Sequence, residues 1–168
     1  MTIRIRSTGQ LMTDYEFRQY IKALGSGAWN NPVIELAVVN EFGADPVFEG
    51  PQASGGTVYQ YSQQDGIEQI DGQWYTKYIL GPVFTDTTDM DGKVTTAAEN
   101  ETAYKAAKDA EQAERVRDDR NKRLADCDWT QLADSPVDKA VWATYRQELR
   151  DITKADGFPW TMVWPVKP

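Results

Sequence analysis

The N-terminal pattern of apolar and polar residues predicts a short strand followed by a helix. Isoleucine alternates with arginine over residues 3–6, as in a half-exposed strand. Thr13 and Glu16 have the spacing of a capping box, and apolar residues then recur every three or four positions. We therefore expect a helix that begins at Asp14 and ends at Gly25. Its aromatic face is interpreted as packing on the chain's own sheet, in preference to docking a partner.

The following stretch, residues 32–56, has a less regular pattern. The apolar residues of 32–42, several of them β-branched, fit either a second helix ended by Gly43 or a strand. Residues 44–56 contain two prolines and three glycines, so we expect irregular chain there.

Three short apolar segments then predict an antiparallel sheet. They occupy residues 57–63, 67–70 and 73–80, with Asp-Gly pairs between them at 65–66 and 71–72. An Asp-Gly pair between alternating segments is a strong hairpin signal, because both residues tolerate positive φ. We expect a small meander that ends at Gly81 and Pro82.

A long helix is predicted for residues 96–124, which are rich in alanine, glutamate, lysine and arginine. Small apolar residues recur along it at heptad a and d spacing, and they include Ala103, Ala106, Ala110, Ala113 and Val116. Because alanine buries little apolar area, an isolated coiled coil would be weak. Two interpretations stay open: an exposed connecting helix, or a helix whose alanine seam packs on a partner, including a homo-oligomer through 96–124.

The segment 120–168 combines helical signals with an aromatic, proline-rich end. Ser135 and Pro136 fit an N-cap followed by proline at the first helical position, and Gly157 fits the end of that helix. The inward-facing positions are expected to be Trp129, Leu132, Val137, Ala140, Val141, Ala143, Thr144, Leu149 and Ile152, with Trp142 and Tyr145 beside them. Because prolines interrupt residues 158–168, we expect them to wrap as an extended tail.

Two arginines and the single cysteine of this segment each allow two interpretations. Arg146 and Arg150 lie four residues apart, with Glu148 and Asp151 close by. Planar guanidinium groups bind carboxylates well, so these arginines either grip a partner or, as we favour, pair within the module. For Cys127 we favour a buried thiol near a helix end over a reactive one.

Composition narrows the classes of function. The 168 residues, 40% of them hydrophobic, indicate a globular protein. A net charge of −8 argues against a nucleic-acid surface, and the absence of histidine removes the commonest general base and metal ligand. Residues 85–92 lack the ligand spacing of a calcium loop and are expected to form a polar turn. We expect no enzyme activity, no cofactor, no metal and, since no apolar stretch approaches bilayer length, no membrane contact.

These elements together predict an α+β protein. We expect a small N-terminal antiparallel sheet with one or two short helices, then a long polar connecting helix. A compact C-terminal helical module with an extended tryptophan- and proline-rich tail follows. The predicted boundaries are 1–95, 96–119 and 120–168.

Residues 120–168 also contain a specific sequence pattern. Its parts are Arg120-Asn121, Asp128-Trp129-Thr130-Gln131-Leu132, Ser135-Pro136, Trp142, Tyr145-Arg146-Gln147, Leu149-Arg150-Asp151-Ile152, Gly157-Phe158-Pro159 and Trp164-Pro165. This pattern resembles the phage tail assembly chaperone family. In that family the module lies at the C-terminus of proteins from tailed phages and is linked to fibre or tail assembly.

The resemblance implies a non-enzymatic protein that binds a tail-fibre or other tail subunit in the host cytoplasm during virion assembly. The alternative is a structural component of the tail, baseplate or tail fibre that is retained in the mature virion. Neither nucleic acid nor a membrane is expected as a partner. The residues expected to bind the partner are Trp129, Trp142, Tyr145, Arg146, Arg150, Trp160 and Trp164.

Overall fold

The computed structural model describes residues 1–168 and has the α+β class predicted from the sequence. Its contacts fall into two units, Met1–Val83 and Phe84–Pro168. The first unit contains a sheet and two short helices, and the second contains the long helix and the C-terminal module. None of the helices has both the length and the apolar character needed to cross a membrane.

The first unit is built on a five-stranded sheet. Its strands are β1 (Thr2–Ile5), β2 (Leu11–Thr13), β3 (Ala44–Phe48), β4 (Tyr61–Ile70) and β5 (Gln73–Gly81), in the spatial order β2-β1-β3-β5-β4. The pairing of β3 with β5 is parallel and the others are antiparallel. The sheet is therefore mixed, whereas the sequence predicted a wholly antiparallel one. The parallel pairing arises because residues 49–60 lead to the edge strand β4, which runs opposite to β3, and the β4–β5 hairpin then reverses the chain into the direction of β3.

The helix α1 (Asp14–Ala23) begins where the sequence predicts it. The Thr13 hydroxyl accepts a hydrogen bond from the Glu16 amide at 3.3 Å, and the Glu16 carboxylate accepts one from the Thr13 amide at 2.7 Å. Phe17 and Ile21 are fully buried against the sheet, which confirms packing on the chain's own sheet for these two residues. Tyr15 on the same helix is exposed.

The structure decides between the helix and the strand that the sequence allowed for residues 32–42, and it corrects the prediction for the residues that follow. The helix α2 (Leu36–Glu41) forms, and Gly43 follows it with a φ of 64°. The expectation of irregular chain from residue 44 is wrong for β3, which lies between β1 and β5. This strand has only five residues and includes Pro46. The strands β1 and β5 stabilise it by pairing on both sides. Pairing with distant strands produces no alternating pattern of apolar and polar residues by which the strand could be recognised in the sequence.

The two Asp-Gly pairs adopt different structures, although both were predicted to be turns. Asp71 and Gly72 form the β4–β5 hairpin turn, with φ values of 49° and 81°. Gly66 also has a positive φ, 79°, but it lies inside β4, where the register shifts between Gln64 and Ile67. The first pair is therefore a β-bulge, because a residue with positive φ fits a bulge as well as a turn.

The second unit opens with a two-stranded hairpin, β6 (Thr87–Thr88) and β7 (Val94–Thr95), joined by the predicted polar turn. The helix α3 (Ala97–Ala125) follows and confirms the long helix predicted from composition. A 3-10 turn (Asp128–Gln131), the helix α4 (Lys139–Asp151) and a second 3-10 turn (Ile152–Lys154) complete the regular structure.

The bounds of α4 differ from the prediction at both ends. The helix begins at Lys139 because the carboxylate of Asp138 accepts hydrogen bonds from the amides of Ala140, at 2.9 Å, and Val141, at 3.3 Å. Asp138 is thus the N-cap in place of Ser135. The helix ends at Asp151, and Gly157, with a φ of 80°, belongs to a later turn.

The capping box of α3 allows a prediction about pH. Thr96 and Glu99 bond reciprocally, and the backbone amide of Thr96, more than its hydroxyl, lowers the pKa of the Glu99 carboxyl. A lowered pKa in the folded state stabilises the fold above the unfolded value of about 4.3, and this contribution is lost as pH falls through the folded pKa. We expect Thr96→Ala to lower the free energy of unfolding by about 1 kcal/mol at pH 7.

Urea unfolding measured across a pH series checks this prediction. The difference between wild type and Thr96→Ala should narrow as pH falls through the lowered pKa of the Glu99 carboxyl, since the hydroxyl then loses its bond to the carboxylate. In a Glu99→Gln background the difference should not vary with pH, because glutamine does not titrate. A difference that is constant with pH in the wild-type background would contradict the assignment.

Candidate interaction surface of the C-terminal module

A small apolar cluster holds α4 against the end of α3. Its buried members are Cys127, Trp142, Tyr145 and Leu149, and Leu124, Val137 and Trp164 pack around them. The Cys127 thiol is fully buried, and its sulfur lies 3.2 Å from the carbonyl oxygens of Arg123 and Leu124. The interpretation of Cys127 as a buried thiol near a helix end is therefore confirmed.

The Arg146 guanidinium is buried at the C-terminal end of α3. Its Nη1 donates to the Leu124 carbonyl at 2.8 Å and to the Cys127 sulfur at 3.0 Å, and its Nη2 donates to Asp128 Oδ1 at 2.7 Å. Burial lowers the pKa of Arg146, but the bonds to Asp128 and Cys127 more than offset it, so the pKa is raised overall. A cation is well placed here, because the last carbonyls of a helix carry partial negative charge.

The two arginines therefore differ in environment. Arg146 pairs within the module, as favoured from the sequence. Arg150, one turn later on α4, is exposed and makes no hydrogen bond or ion pair. Of the two, only the Arg150 guanidinium is available to a partner's carboxylate.

Aromatic rings extend from the buried cluster to the surface. The rings of Trp142 and Tyr145 meet edge to face at 5.8 Å, and Trp129 lies 6.0 Å from Trp142. Trp129 and Leu132 were expected to face inward, but their side chains are 48% and 58% exposed. The 3-10 turn at Asp128–Gln131 instead buries Thr130, whose hydroxyl donates to the Cys127 carbonyl at 2.6 Å.

The buried face of α4 is also rotated from the predicted one. It consists of Trp142, Tyr145, Arg146 and Leu149, continued by Ile152 just after the helix. The predicted residues Ala140, Val141, Ala143 and Thr144 are exposed. Since the aromatic rings bury far more apolar area than alanine or threonine, their burial determines which side of the helix faces inward.

Residues 158–168 were predicted to form an extended tail. Residues 158–161 instead form a turn after Gly157, and residues 162–168 have no regular structure, as predicted. The Trp160 indole donates to Asp109 Oδ1 on α3 at 2.6 Å. The Arg123 guanidinium lies 4.3 Å from the centroid of the Trp164 ring, a distance typical of a cation–π contact. These contacts at two points hold the tail in place.

A shallow, open groove beside the tail, here called the tail groove, has a volume of about 520 Å³. It lies between the end of α4 and the tail, and its lining includes Glu148, Asp151, Ile152, Val163, Trp164 and Val166. Val163 and Val166 are 85% and 90% exposed. The groove was not predicted from the sequence, in which its only local signal is the pair of valines among the prolines of the tail.

The seven residues predicted to bind a partner thus lie in different environments. Trp142, Tyr145 and Arg146 are buried, Trp160 and Trp164 are partly buried, and Trp129 and Arg150 are exposed. The structure contains no group of three or more histidine, cysteine, aspartate or glutamate side chains that could hold a metal ion. The arrangement offers rings, aliphatic side chains and one unpaired guanidinium, which suit binding.

Comparisons with known proteins bear on the same part of the chain. Searches against curated proteins and against solved structures found no match. A family model matches residues 113–168, a range that includes the last turns of α3, the whole of α4 and the tail. The C-terminal region is thus similar to the family described as phage tail assembly chaperone protein, the family that the sequence pattern resembles.

Proposed function

We propose that the protein is a non-enzymatic assembly factor for a bacteriophage tail. Its C-terminal module would hold a tail-fibre or other tail subunit in the host cytoplasm until the subunit is assembled. The observation that carries the proposal is the family match over residues 113–168. That family is described as an assembly chaperone, which is not a class of enzyme.

The environments of the predicted partner-binding residues suggest which of them contact the partner and which support the contact surface. Trp129 and Arg150 would contact the tail subunit directly, because both are exposed beside the buried cluster. Tryptophan and arginine are among the residues that dominate protein interfaces. Trp142, Tyr145 and Arg146 would support this surface from beneath, with Trp160 and Trp164 fixing the tail.

Co-expression with the tail-fibre protein of the same phage tests the proposal. We expect a several-fold higher yield of soluble fibre trimer with this protein than without it, and a lower yield with Trp129→Ala. Tyr15→Ala, at an exposed aromatic residue of the first unit, is the matched control and should leave the yield unchanged. Equal yields of fibre with and without the protein would refute the proposal.

One observation favours the alternative of a structural component in the tail, baseplate or fibre. Ala103, Ala106 and Ala110 on α3 are exposed, so this part of the alanine seam is available to a second copy or another subunit. Mass spectrometry of purified virions separates the two functions. An assembly factor should be absent or far below stoichiometric amounts, whereas a structural component should be present at a fixed ratio to other tail proteins.

A further inference from the structure

We infer that the tail groove is a docking site for an apolar segment of a partner that also carries a lysine or arginine. The inference deepens the proposed function and rests on it only for the kind of protein that supplies the segment. Three features of the groove carry it: the apolar character of its lining, its fixed shape, and the charge at its rim.

The apolar character is concentrated in side chains that protrude. Val163 and Val166 are 85% and 90% exposed, and both line the groove together with Trp164 and the buried Ile152. A large aliphatic side chain held in water loses the stabilisation that burial would give. Exposed apolar side chains grouped at a concave site mark binding surfaces. The volume of about 520 Å³ accommodates a few side chains of an extended or helical segment.

The groove keeps its shape without a partner. Trp164 packs against the buried cluster under the Arg123 guanidinium, and Trp160 bonds to Asp109. The tail is therefore anchored to α3 at two residues: Trp160, which precedes both valines, and Trp164, which lies between them. A preformed site binds more tightly, because ordering the tail costs no further entropy on binding.

The rim specifies the charge of the partner. Asp151 accepts hydrogen bonds from Gln147 and from Lys154, each at 2.7 Å, so its charge is already paired. Glu148, on the same rim, makes neither a hydrogen bond nor an ion pair. A lysine or arginine of the docked segment would pair with Glu148 and fix the orientation of the segment.

The same rim disfavours a second copy of this chain as the occupant. The charged lining residues Glu148, Asp151 and Lys154 together carry one negative charge, so a two-fold symmetric contact would bring two patches of the same net sign together. Like charges placed opposite each other destabilise an interface. A segment of a different protein that has both apolar and basic residues would bury the two valines and pair with Glu148.

Selection from a random peptide library against the purified full chain tests the inference without using any tail protein. Enriched peptides should combine apolar residues with lysine or arginine. A synthetic copy of an enriched peptide should bind Val163→Asp and Val166→Asp about tenfold more weakly than wild type. Val33→Asp, at an exposed valine of the first unit, is the control and should bind like wild type. Because Val163 and Val166 are both exposed, neither substitution should impair folding, which circular dichroism checks.

A charge reversal at the rim tests the second half of the inference. Glu148→Lys should weaken binding of the basic peptide, whereas Glu114→Lys, at an exposed glutamate on α3, should not. The inference is overturned if no peptide is enriched or if the enriched peptides are acidic. It is also overturned if the affinity for the peptide is the same in wild type, in the valine variants and in Glu148→Lys. It is also overturned if light scattering shows that Val163→Asp dissociates a dimer, since a second copy would then occupy the groove.

Binding of the tail-fibre protein to the same variants separates this inference from the proposed function. If the fibre protein binds wild type more tightly than Val163→Asp, both stand. If the peptides behave as expected but the fibre protein does not bind, the docking site stands and the proposed partner is wrong. If the fibre protein binds wild type and Val163→Asp with equal affinity, and the peptides also bind both with equal affinity, the proposed function stands and the docking site is wrong.

Discussion

Replacing Leu149 with alanine is expected to lower the free energy of unfolding of the second unit by about 3 kcal/mol, within the usual range of 2–5 kcal/mol for a buried leucine. Leu149 is fully buried in the cluster with Cys127, Trp142 and Tyr145. The loss has two parts, the transfer of the removed methyl and methylene groups and the cavity that remains. Large rings and a helix end surround the site, so we expect little collapse around the cavity.

Denaturant unfolding followed by tryptophan fluorescence measures this effect, because four of the six tryptophans lie in residues 120–168. Leu132→Ala is the matched control: the same chemical change at a side chain that is 58% exposed should alter stability by less than about 0.5 kcal/mol. A loss below about 1 kcal/mol for Leu149→Ala would mean that the cluster does not hold the unit together.

Arg146→Lys is expected to be the second most damaging of the changes considered, at about 2 kcal/mol. Lysine keeps the charge but cannot reach the Leu124 carbonyl and the Asp128 carboxylate at once, because it lacks the planar fork. Hydrogen bonds from charged donors contribute about 1.5–3 kcal/mol each. We expect most of the loss to come from the Leu124 carbonyl, because Asp128 is 67% exposed and regains water.

Two further variants separate the contributions to this loss. Asp128→Asn removes the ion pair alone and should cost less than about 1 kcal/mol, as exposed pairs do. Arg150→Lys makes the same chemical change one turn along α4, at an exposed residue, and should be nearly neutral. If Asp128→Asn cost as much as Arg146→Lys, the ion pair rather than the helix cap would be the stabilising contact.

The elements that the sequence predicted well are those whose signals lie within a few residues. The capping box at Thr13 bonds a residue to one three positions later, so its spacing alone identifies the helix start, whereas the equivalent box at Thr96 was not predicted. The family pattern of the C-terminal module is likewise contiguous in sequence. The long α3 follows from composition summed over many residues.

The features that the sequence did not reveal depend on contacts between distant residues. The strand β3 exists because β1 and β5 pair with it from either side. Gly66 and Gly72 follow identical aspartates, and only the strand pairing decides that one is a bulge and the other a turn. The cap that Arg146 places on Leu124 joins residues 22 positions apart, which no local pattern encodes.

The bond from Trp160 to Asp109 bears on where the module can be cut. Asp109 lies four residues before the first residue of the family match, about one turn of α3. A fragment beginning at residue 113 would lose the carboxylate that anchors its own tail, so we expect a fragment that begins at least one turn further upstream to be more stable.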